Sequence, residues 1–241
     1  MVVIEEARDR VFRDHKEIPQ EKIVIIRNLE NLSFVEKNTY DEIADEYGCK
    51  YPILYIGSFG PHRGLDTLID AMFHIKQRKM EGVKVFIIGA SGNPYEQELM
   101  ERISSHDVGD LVKMLEWVEA DKVFSYMKHA AIGVVPHHLG DHTDHTIPFK
   151  VFQYMMARIP VLVSTSPPLA RTVRDSKAGL VFKAGDDVDL AEKVIQLIQA
   201  PNNEDFGANG YQYTMKEGNN WECEAAVDML DMYREIIGGV K

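Results

Sequence analysis

Residues 136 to 165 read PHHLGDHTDHTIPFKVFQYMMARIPVLVST, and this stretch decides the fold of the 241-residue chain. The apolar residues 132–135 before it predict a short buried strand. Pro148 suits the first turn of a helix, where no N–H is needed, and apolar residues recur at helical spacing until Pro160. Residues 161–163 then read as the next buried strand. The stretch therefore predicts a strand, a polar loop, a helix and a second strand.

The start of this helix carries polar residues that suit a phosphate. The free N–H groups and the positive end of the helix dipole attract an anion. Lys150 and Gln153 lie three residues apart and share one helical face, so an ammonium group and an amide flank the same site. Exposed helical lysines are also common on protein surfaces, so a surface lysine is the alternative interpretation of Lys150.

A second strand, turn and helix lies at residues 53–71, which read ILYIGSFGPHRGLDTLIDA. Its glycines, Gly57, Gly60 and Gly64, let the backbone come close to a ligand. Arg63 offers a planar fork of donors for a diphosphate. The spacing alone is weak evidence, because any turn from a strand to a helix favours glycine.

Strands and helices alternate along the whole chain. The apolar runs predict strands at residues 23–26, 53–56, 83–89, 112–114, 132–135, 161–163 and 178–182. Helical spacing predicts helices at residues 4–16, 39–47, 65–71, 94–104, 120–129, 148–158, 169–175 and 187–199, and a last one from residue 221. This alternation is typical of an α/β fold with a Rossmann-like, doubly wound parallel sheet. Ligands of such sheets bind at the carboxyl ends of the strands. One pocket at that edge can gather four polar residues: Arg63, His145, Lys150 and Gln153.

The composition is that of a soluble globular protein, with 45% hydrophobic residues. The formal net charge of −11 argues against a general nucleic-acid surface. No apolar run approaches the roughly 20 residues that span a bilayer, and the charged N-terminus is unlike a signal peptide. Cys49 and Cys223 lie far apart without metal-ligand spacing, which favours a reducing compartment. We therefore expect a cytoplasmic protein.

The run PFKVFQYMMARIPVLVS at residues 148–164 resembles a signature of the retaining glycosyltransferases of family four, which belong to glycosyl transferases group 1 and have the GT-B fold. That signature reads roughly P-x-K-x-x-E-Y-M-A-x-G-x-P-V. The run GSFGPHRGLDTLIDA at residues 57–71 resembles the family loop G-x-x-x-x-x-K-G-x-x-x-L-x-x-A, with Arg63 where the family contacts the donor phosphates. Two family glutamates, which contact the donor sugar and the nucleotide ribose, fall on His145 and Gln153.

The resemblance implies a set of site residues. Those expected to bind the donor are Gly57, Phe59, Gly60, Arg63, Gly89, Trp117, Val118, His145, Thr146, Ile147, Pro148, Lys150 and Gln153. Those expected to serve catalysis are Arg63, Lys150 and His145. The segment 116–118 resembles the turn whose backbone reads the base in the family, although a tryptophan among apolar neighbours more often packs in a core. For His145 the alternative is a solvated loop histidine.

The resemblance also implies a division of the chain and a set of partners. Residues 1–21 correspond to the end of an N-terminal domain and a crossover helix, residues 22–215 to the domain that binds a nucleotide-sugar donor, and residues 216–241 to a helix that reaches back toward the N-terminal domain. The acceptor-binding N-terminal domain itself is expected to lie outside this chain. The acceptor is expected to be a glycan or a lipid-linked molecule, and the whole protein to associate peripherally with the inner face of the membrane. No metal and no cofactor are expected.

Two other functions remain open at this point. A non-catalytic nucleotide-sugar module would explain why both family glutamates are replaced. A metal enzyme would use the dense imidazoles and carboxylates of one loop: His137, His138, Asp141, His142, Asp144 and His145. That loop lacks the helical i, i+4 pairing of zinc hydrolases, which argues against the metal enzyme.

Overall fold

The computed structural model describes residues 2–4, 8–36, 43–90, 92–199, 203–216 and 219–238. Within this part of the chain, a parallel sheet of six strands forms the centre of the fold. Its strands are β3 (Tyr51–Ile56), β4 (Val83–Ala90), β5 (Val112–Glu116), β6 (Ile132–Val135), β7 (Val161–Ser164) and β8 (Gly179–Phe182). Two short strands, β1 (Val2–Ile4) and β2 (Val24–Ile26), pair in parallel outside this sheet.

Helices connect the strands and cover both faces of the sheet. They are α1 (Arg8–Asp14), α2 (Ile43–Tyr47), α3 (Leu65–Gln77), α4 (Pro94–Ser105), α5 (Ala120–Lys128), α6 (Lys150–Met156), α7 (Pro167–Ser176), α8 (Asp187–Gln199), α9 (Asn203–Met215) and α10 (Ala226–Gly238). Successive residues of a strand point to opposite faces, so Leu54 packs in the core layer with α5 and α6, while Ile53 packs in the layer with α3 and α8. Burial on both faces explains why these strands are almost continuously apolar. The expected α/β, doubly wound class is confirmed.

The strand order is β5-β4-β3-β6-β7-β8. The chain adds β4 and β5 on one side of β3 and then adds β6, β7 and β8 on its other side, so the order of connection changes side between β3 and β6. The two strands pair only at Ile53 with Ile132 and at Leu54 with Gly133, and they diverge beyond that point. Such a reversal leaves a crevice at the carboxyl ends of the strands, where ligands of open α/β sheets bind.

Tyr154 of α6 fills the gap between the diverging strands. Its buried hydroxyl donates to the carbonyl of Leu54 at 3.0 Å and accepts from the N–H of Ile56 at 3.2 Å. Gly133 makes room for the ring, since a Cβ there would lie 2.3 Å from Tyr154 Cγ. The side chain thus satisfies the strand groups that β6 no longer reaches, and it supports the floor of the crevice.

Two predicted helices and one helix that was not predicted need comment. A helix over residues 4–16 is wrong at its start, because the β-branched residues Val2–Ile4 pair with β2 and the helix begins at Arg8. Residues 39–42 of the helix predicted at 39–47 lie outside the described residues, and α2 begins at Ile43. The sequence interpretation missed α9 entirely.

The missed helix α9 contains two glycines, which ordinarily weaken a helix. Both allow α9 to lie directly on α6 and the segment after it. A Cβ at Gly207 would lie 2.1 Å from the Arg158 carbonyl oxygen, and one at Gly210 would lie 3.0 Å from Met155 Cγ. Close packing therefore requires glycines in α9, and these glycines weaken the sequence pattern from which a helix is predicted. No helix in the described ranges is long and apolar enough to cross a membrane.

Candidate functional site

A cavity of about 710 Å³ opens at the crevice where β3 and β6 diverge. This volume falls within the range of small-molecule sites. The residues that line the cavity come from the loop after β3, the start of α6, the loop after β5, and the segment before α2. The cavity therefore lies at the edge of the sheet where ligands are expected.

Lys150 is the first residue of α6 and lines the cavity. Its Nζ lies 3.8 Å from the centroid of the Tyr55 ring, a contact between a cation and an aromatic face. Gly57 has φ +144°, which disfavours other residues there, and a Cβ at this position would lie 2.5 Å from that Nζ and displace the ammonium group. No acceptor among the described residues takes a hydrogen bond from it.

The electrostatic environment of Lys150 disfavours a free ammonium ion. The side chain is partly exposed, yet protein atoms surround its charged end. Burial, and secondarily the charge of Arg63, hold the pKa of Lys150 well below the usual 10.5. An anion in the cavity would offset both effects.

Arg63 ends a 3-10 turn at Pro61–Arg63 and also lines the cavity. Its Nη1 lies 3.3 Å from Nε2 of His137, which is 1% exposed. Because a guanidinium group can only donate, Nε2 must accept, and the proton of the imidazole is assigned to Nδ1. Arg63 Nε and His137 Nδ1 are both buried without a hydrogen-bond partner in the part of the chain that the structure describes.

His137 stays neutral in this environment. Burial lowers its pKa from 6.5 to about 2, and the positive charges of Lys150 and Arg63 add to the effect. Gly57, Arg63 and Lys150 together form what we call the cationic wall. It concentrates positive charge and unpaired donors, an arrangement that suits an anion.

The loops on either side of the cationic wall are packed against each other. Gly64 has φ +69°, and a Cβ there would lie 1.8 Å from the Pro136 carbonyl oxygen. The N–H of His138 donates to the carbonyl of His62 at 3.1 Å. The glycine of the turn is thus required by a close approach to the loop after β6.

Glu30, Ser33 and Phe34 form the opposite side of the cavity, which we call the N-terminal wall. Gln153 Nε2 donates to Glu30 Oε2 at 2.7 Å, and the N–H of Asn31 donates to Glu30 Oε1 at 2.8 Å. The Phe34 ring packs edge to face on Phe124, with 4.9 Å between the ring centroids. This wall therefore presents a carboxylate, an amide and an aromatic ring.

The C-terminal part of the chain holds the N-terminal wall in place. The N–H of Trp221 donates to the Glu30 carbonyl at 3.0 Å, and the N–H of Leu32 donates to the Glu222 carboxylate, 3.0 Å from each oxygen. Trp221 and Glu222 belong to a π-helix at Trp221–Ala225. The wall thus depends on contacts between residues about 190 positions apart.

Trp117, Val118 and Val123 line a more apolar part of the cavity. The Trp117 side chain is 54% exposed, so the interpretation of Trp117 as a core residue is wrong. Gly89 lies beneath it, because a Cβ at Gly89 would lie 3.4 Å from Trp117 Cζ2 and 2.3 Å from the Gly57 carbonyl oxygen. This part of the cavity offers a flat aromatic surface to a ligand.

Seven of the predicted donor-binding residues line the cavity: Gly57, Arg63, Trp117, Val118, Pro148, Lys150 and Gln153. Lys150 is not the surface lysine of the alternative interpretation. Gly89 supports the cavity from below. Any role of these residues in binding a donor stays a prediction.

The structure places the other five predicted residues outside the lining, for local reasons. The Phe59 side chain is buried in the core beside Tyr55, and Gly60 begins the 3-10 turn behind it. Ile147 is 3% exposed, and its carbonyl accepts from Asn28 Nδ2 at 2.6 Å. Thr146 Oγ1 donates to the His142 carbonyl, and His145 Nε2 lies 3.9 Å from Asp141 Oδ1. The turn at Thr143–His145 thus bonds mainly to its own loop.

The sequence interpretation missed the N-terminal wall and the role of His137. Ser33 and Phe34 belong to a short 3-10 helix at Leu32–Glu36, and Glu30 lies just before it. The segment has no recognised local motif, so no signal marked these residues. His137 was considered only as a metal ligand, although its place directly after a buried strand and Pro136 could have marked it as a buried residue.

The histidines of the loop after β6 contact different groups. His138 Nε2 lies 2.8 Å from Asp66 Oδ1, and the rings of His142 and His62 lie edge to face with 5.5 Å between centroids. Among the described residues, no three His, Cys, Asp or Glu side chains converge in a way that could hold a metal ion. The described geometry offers no support for the metal-enzyme hypothesis.

Comparisons with known proteins identify relatives of this chain. Residues 36–213 match the family model described as glycosyl transferases group 1. D-inositol 3-phosphate glycosyltransferase 2 from Catenulispora acidiphila is 24% identical over 192 residues, which cover 77% of this chain and 43% of that protein. The matched part of this chain therefore covers less than half the length of that relative.

Two solved structures share the fold of this chain. The sucrose-phosphate synthase from Thermosynechococcus elongatus aligns with a TM-score of 0.81 and 20% identity, over 98% of this chain and 58% of that one. The Anabaena protein Alr3699/HepE, in complex with UDP-glucose, aligns with a TM-score of 0.76 and 14% identity, over 99% of this chain and 63% of that one. At these identities the likeness concerns the fold alone.

Proposed function

Because the chain belongs to the glycosyl transferases group 1 family, we propose that it forms the donor-binding half of a retaining glycosyltransferase of family four. The donor is a nucleoside diphosphate sugar. The observation that carries this proposal is the cationic wall, where the Lys150 ammonium group and the Arg63 guanidinium group meet in one cavity without an acidic partner among the described residues. The N-terminal end of α6, where the helix dipole is positive, lies on the same side.

Each part of a donor has a matching part of the cavity. The diphosphate lies against Arg63 and Lys150, and the base lies near Trp117 and Val118. UDP is the first nucleotide to test, because the Anabaena protein of the same fold is described in complex with UDP-glucose. His137 contributes by accepting from Arg63, which fixes the guanidinium group.

The proposed reaction transfers a hexosyl group to an acceptor hydroxyl with retention of configuration. The acceptor oxygen forms a bond to the anomeric carbon, while the bond from that carbon to the β-phosphate oxygen breaks. The nucleoside diphosphate leaves with the electron pair, and the proton of the acceptor hydroxyl goes to the departing phosphate. Lys150 and Arg63 stabilise the charge that develops on that phosphate, so the proposed mechanism requires no metal.

The acceptor is proposed to bind outside this chain. A glycan or lipid-linked acceptor, in glycan or cell-surface polysaccharide synthesis at the inner face of the membrane, fits the family resemblance. Support for an additional domain comes from α10, which exposes an apolar face made of Val227, Leu230, Tyr233 and Ile237. Such a face commonly packs against another domain or subunit.

A binding panel tests the proposal. Calorimetry with UDP, GDP, ADP and dTDP, and with their sugar conjugates, should show binding of at least one diphosphate by this chain. Arg63→Ala should weaken that binding, and Arg234→Ala is the matched control, because Arg234 is 75% exposed on α10. If no member of the panel binds, the proposed function is wrong.

A transfer assay separates the enzyme from a non-catalytic module. This chain alone should transfer sugar poorly, because the acceptor site belongs to another domain. The protein at the full length of its relatives should transfer sugar from the donor that binds best. Binding without turnover by the full-length protein would favour the module.

A further inference from the structure

Glu30 is the only acidic residue that lines the cavity within the described part of the chain. Its carboxylate faces a site whose other charged side chains are Arg63 and Lys150. No described cation pairs with it. Burying a carboxylate in part without a cation costs free energy unless hydrogen bonds satisfy its oxygens. The number of hydrogen bonds that the Glu30 carboxylate can still accept therefore indicates what a ligand could offer it.

The existing hydrogen bonds satisfy only part of that capacity. Oε1 accepts from the N–H of Asn31 and Oε2 accepts from Gln153 Nε2. An ionised carboxylate has about four acceptor sites, so roughly one site on each oxygen remains for a ligand. The group therefore offers two adjacent acceptors to the cavity.

The backbone and side-chain contacts of Glu30 hold these acceptors in a fixed direction. The Glu30 carbonyl accepts from the N–H of Trp221, and Gln153 reaches the carboxylate from α6. A group held from both sides loses little entropy when it binds a ligand. Gln153 is here a positioning residue for Glu30.

Glu30 is connected to both parts of the cavity, through its hydrogen bond with Gln153 to the helix of Lys150 and through the following residues to the apolar lining. Its partner Gln153 lies three residues after Lys150, which is about 4.5 Å along the axis of α6. Phe34 lies four residues after Glu30 and, with Val123, belongs to the apolar lining. The part of a nucleotide that connects base and diphosphate is the ribose.

The chemistry of a ribose fits this place. Its 2′- and 3′-hydroxyls are adjacent donors, and two adjacent acceptors on one carboxylate match them. A diphosphate would be repelled by the same carboxylate. We infer that Glu30, held by Gln153, binds the ribose diol of the nucleotide and selects ribonucleotide over deoxynucleotide donors. This inference rests on the proposed function and names a specificity-determining residue for it.

The test compares nucleotides that differ only in the diol. Calorimetry measures the affinities of UDP, GDP and ADP, each beside its 2′,3′-dideoxy analogue, for the wild-type chain and for Glu30→Gln. The glutamine variant keeps the size of the side chain and removes its charge. Glu192→Gln is the matched control, because Glu192 is 56% exposed on α8 in a surface ion pair.

The wild-type chain should bind the best diphosphate at least about tenfold more tightly than its dideoxy analogue, as expected for hydrogen bonds to a charged group. In Glu30→Gln this ratio should fall below about threefold, while the affinity for the dideoxy analogue stays unchanged. Gln153→Ala should lower the ratio to an intermediate value, and Glu192→Gln should not change it.

Two results would overturn the inference and leave the proposed function intact. Equal weakening of a diphosphate and its dideoxy analogue in Glu30→Gln would mean that Glu30 does not bind the diol. A loss confined to GDP and its dideoxy analogue would mean that the carboxylate reads the guanine edge. If no diphosphate binds to the wild-type chain, the proposed function and the inference both fail.

Discussion

The two walls of the cavity are built in different ways. The cationic wall comes from the loop after β3 and the first residue of α6, and Tyr154 of the same helix ties it to the core of the sheet. The N-terminal wall comes from Glu30 and the short 3-10 helix at Leu32–Glu36, before the sheet. The π-helix at Trp221–Ala225 supports it through Glu222 and backbone hydrogen bonds. The cationic wall is therefore supported by the sheet, whereas the N-terminal wall depends on contacts between the N-terminal and C-terminal parts of the described chain.

This difference predicts how each wall responds to mutation. The cationic wall shares its supports with the core, so damage to those supports should lower the stability of the whole domain. The N-terminal wall rests on a few partly exposed hydrogen bonds, so damage there should change ligand binding with little change in stability. The following four experiments test this contrast.

The largest effect is expected from Tyr154→Phe. This change removes the hydroxyl that satisfies the Leu54 carbonyl and the Ile56 N–H, both at the buried end of β3. Each unsatisfied buried group costs about 1–3 kcal/mol, so the free energy of unfolding should fall by about 2–4 kcal/mol. Urea unfolding, followed by circular dichroism, measures the change.

Tyr233→Phe is the matched control, because Tyr233 is 52% exposed on α10. It should change the free energy of unfolding by less than about 0.5 kcal/mol. A similar small loss in Tyr154→Phe would show that the sheet, without Tyr154, supports the cationic wall.

The second effect concerns binding. Lys150→Ala removes the ammonium group beside Gly57, and the affinity for a nucleoside diphosphate should fall by about 1.5–3 kcal/mol, the range for hydrogen bonds to charged groups. The affinity for the nucleoside alone should hardly change. Calorimetry with uridine, UMP and UDP measures the three losses.

Lys128→Ala on α5 is the control, because Lys128 is exposed and outside the cavity. Arg63→Ala should resemble Lys150→Ala. Equal losses for all three ligands, or no loss, would show that Lys150 does not contact the diphosphate.

The sequence predicted the cationic wall better than the N-terminal wall, and the reason is physical. Gly57, Arg63 and Lys150 stand directly after strands or at the start of a helix, so local pattern rules locate them. Glu30 meets Gln153 across 123 positions of the chain, and no local pattern encodes that contact. The family resemblance also placed Phe59 among the donor-binding residues, whereas its side chain is buried in the core.

The third effect is a pH dependence of stability from His137. In the unfolded chain this histidine titrates near 6.5, whereas burial lowers its pKa to about 2 in the folded protein. Between these values the unfolded state binds one more proton, so stability falls as the pH falls below 6.5. The slope from this residue approaches about 1.4 kcal/mol per pH unit.

His137→Asn keeps a polar side chain beside Arg63 and removes the titrating group. Urea unfolding of both proteins between about pH 6.5 and pH 4.5 gives the difference in slope, because other titrating groups are common to both. The wild-type curve should be the steeper one. Parallel curves would show that His137 takes up a proton in the folded state, and the neutral imidazole inferred for the cationic wall would be wrong.

The smallest effect is expected from Glu222→Ala, which removes the carboxylate that accepts from the Leu32 N–H. Glu222 is exposed, so water replaces part of the lost bond and the direct cost is about 0.5 kcal/mol. Through Glu30, the affinity for UDP should fall about twofold, while the affinity for 2′,3′-dideoxy-UDP and the free energy of unfolding change little. Glu192→Ala on α8 removes a comparably exposed carboxylate and should change none of these quantities. An equal loss for both nucleotides would indicate that the C-terminal segment shapes the whole cavity, and no loss at all would indicate that the N-terminal wall holds Glu30 without it.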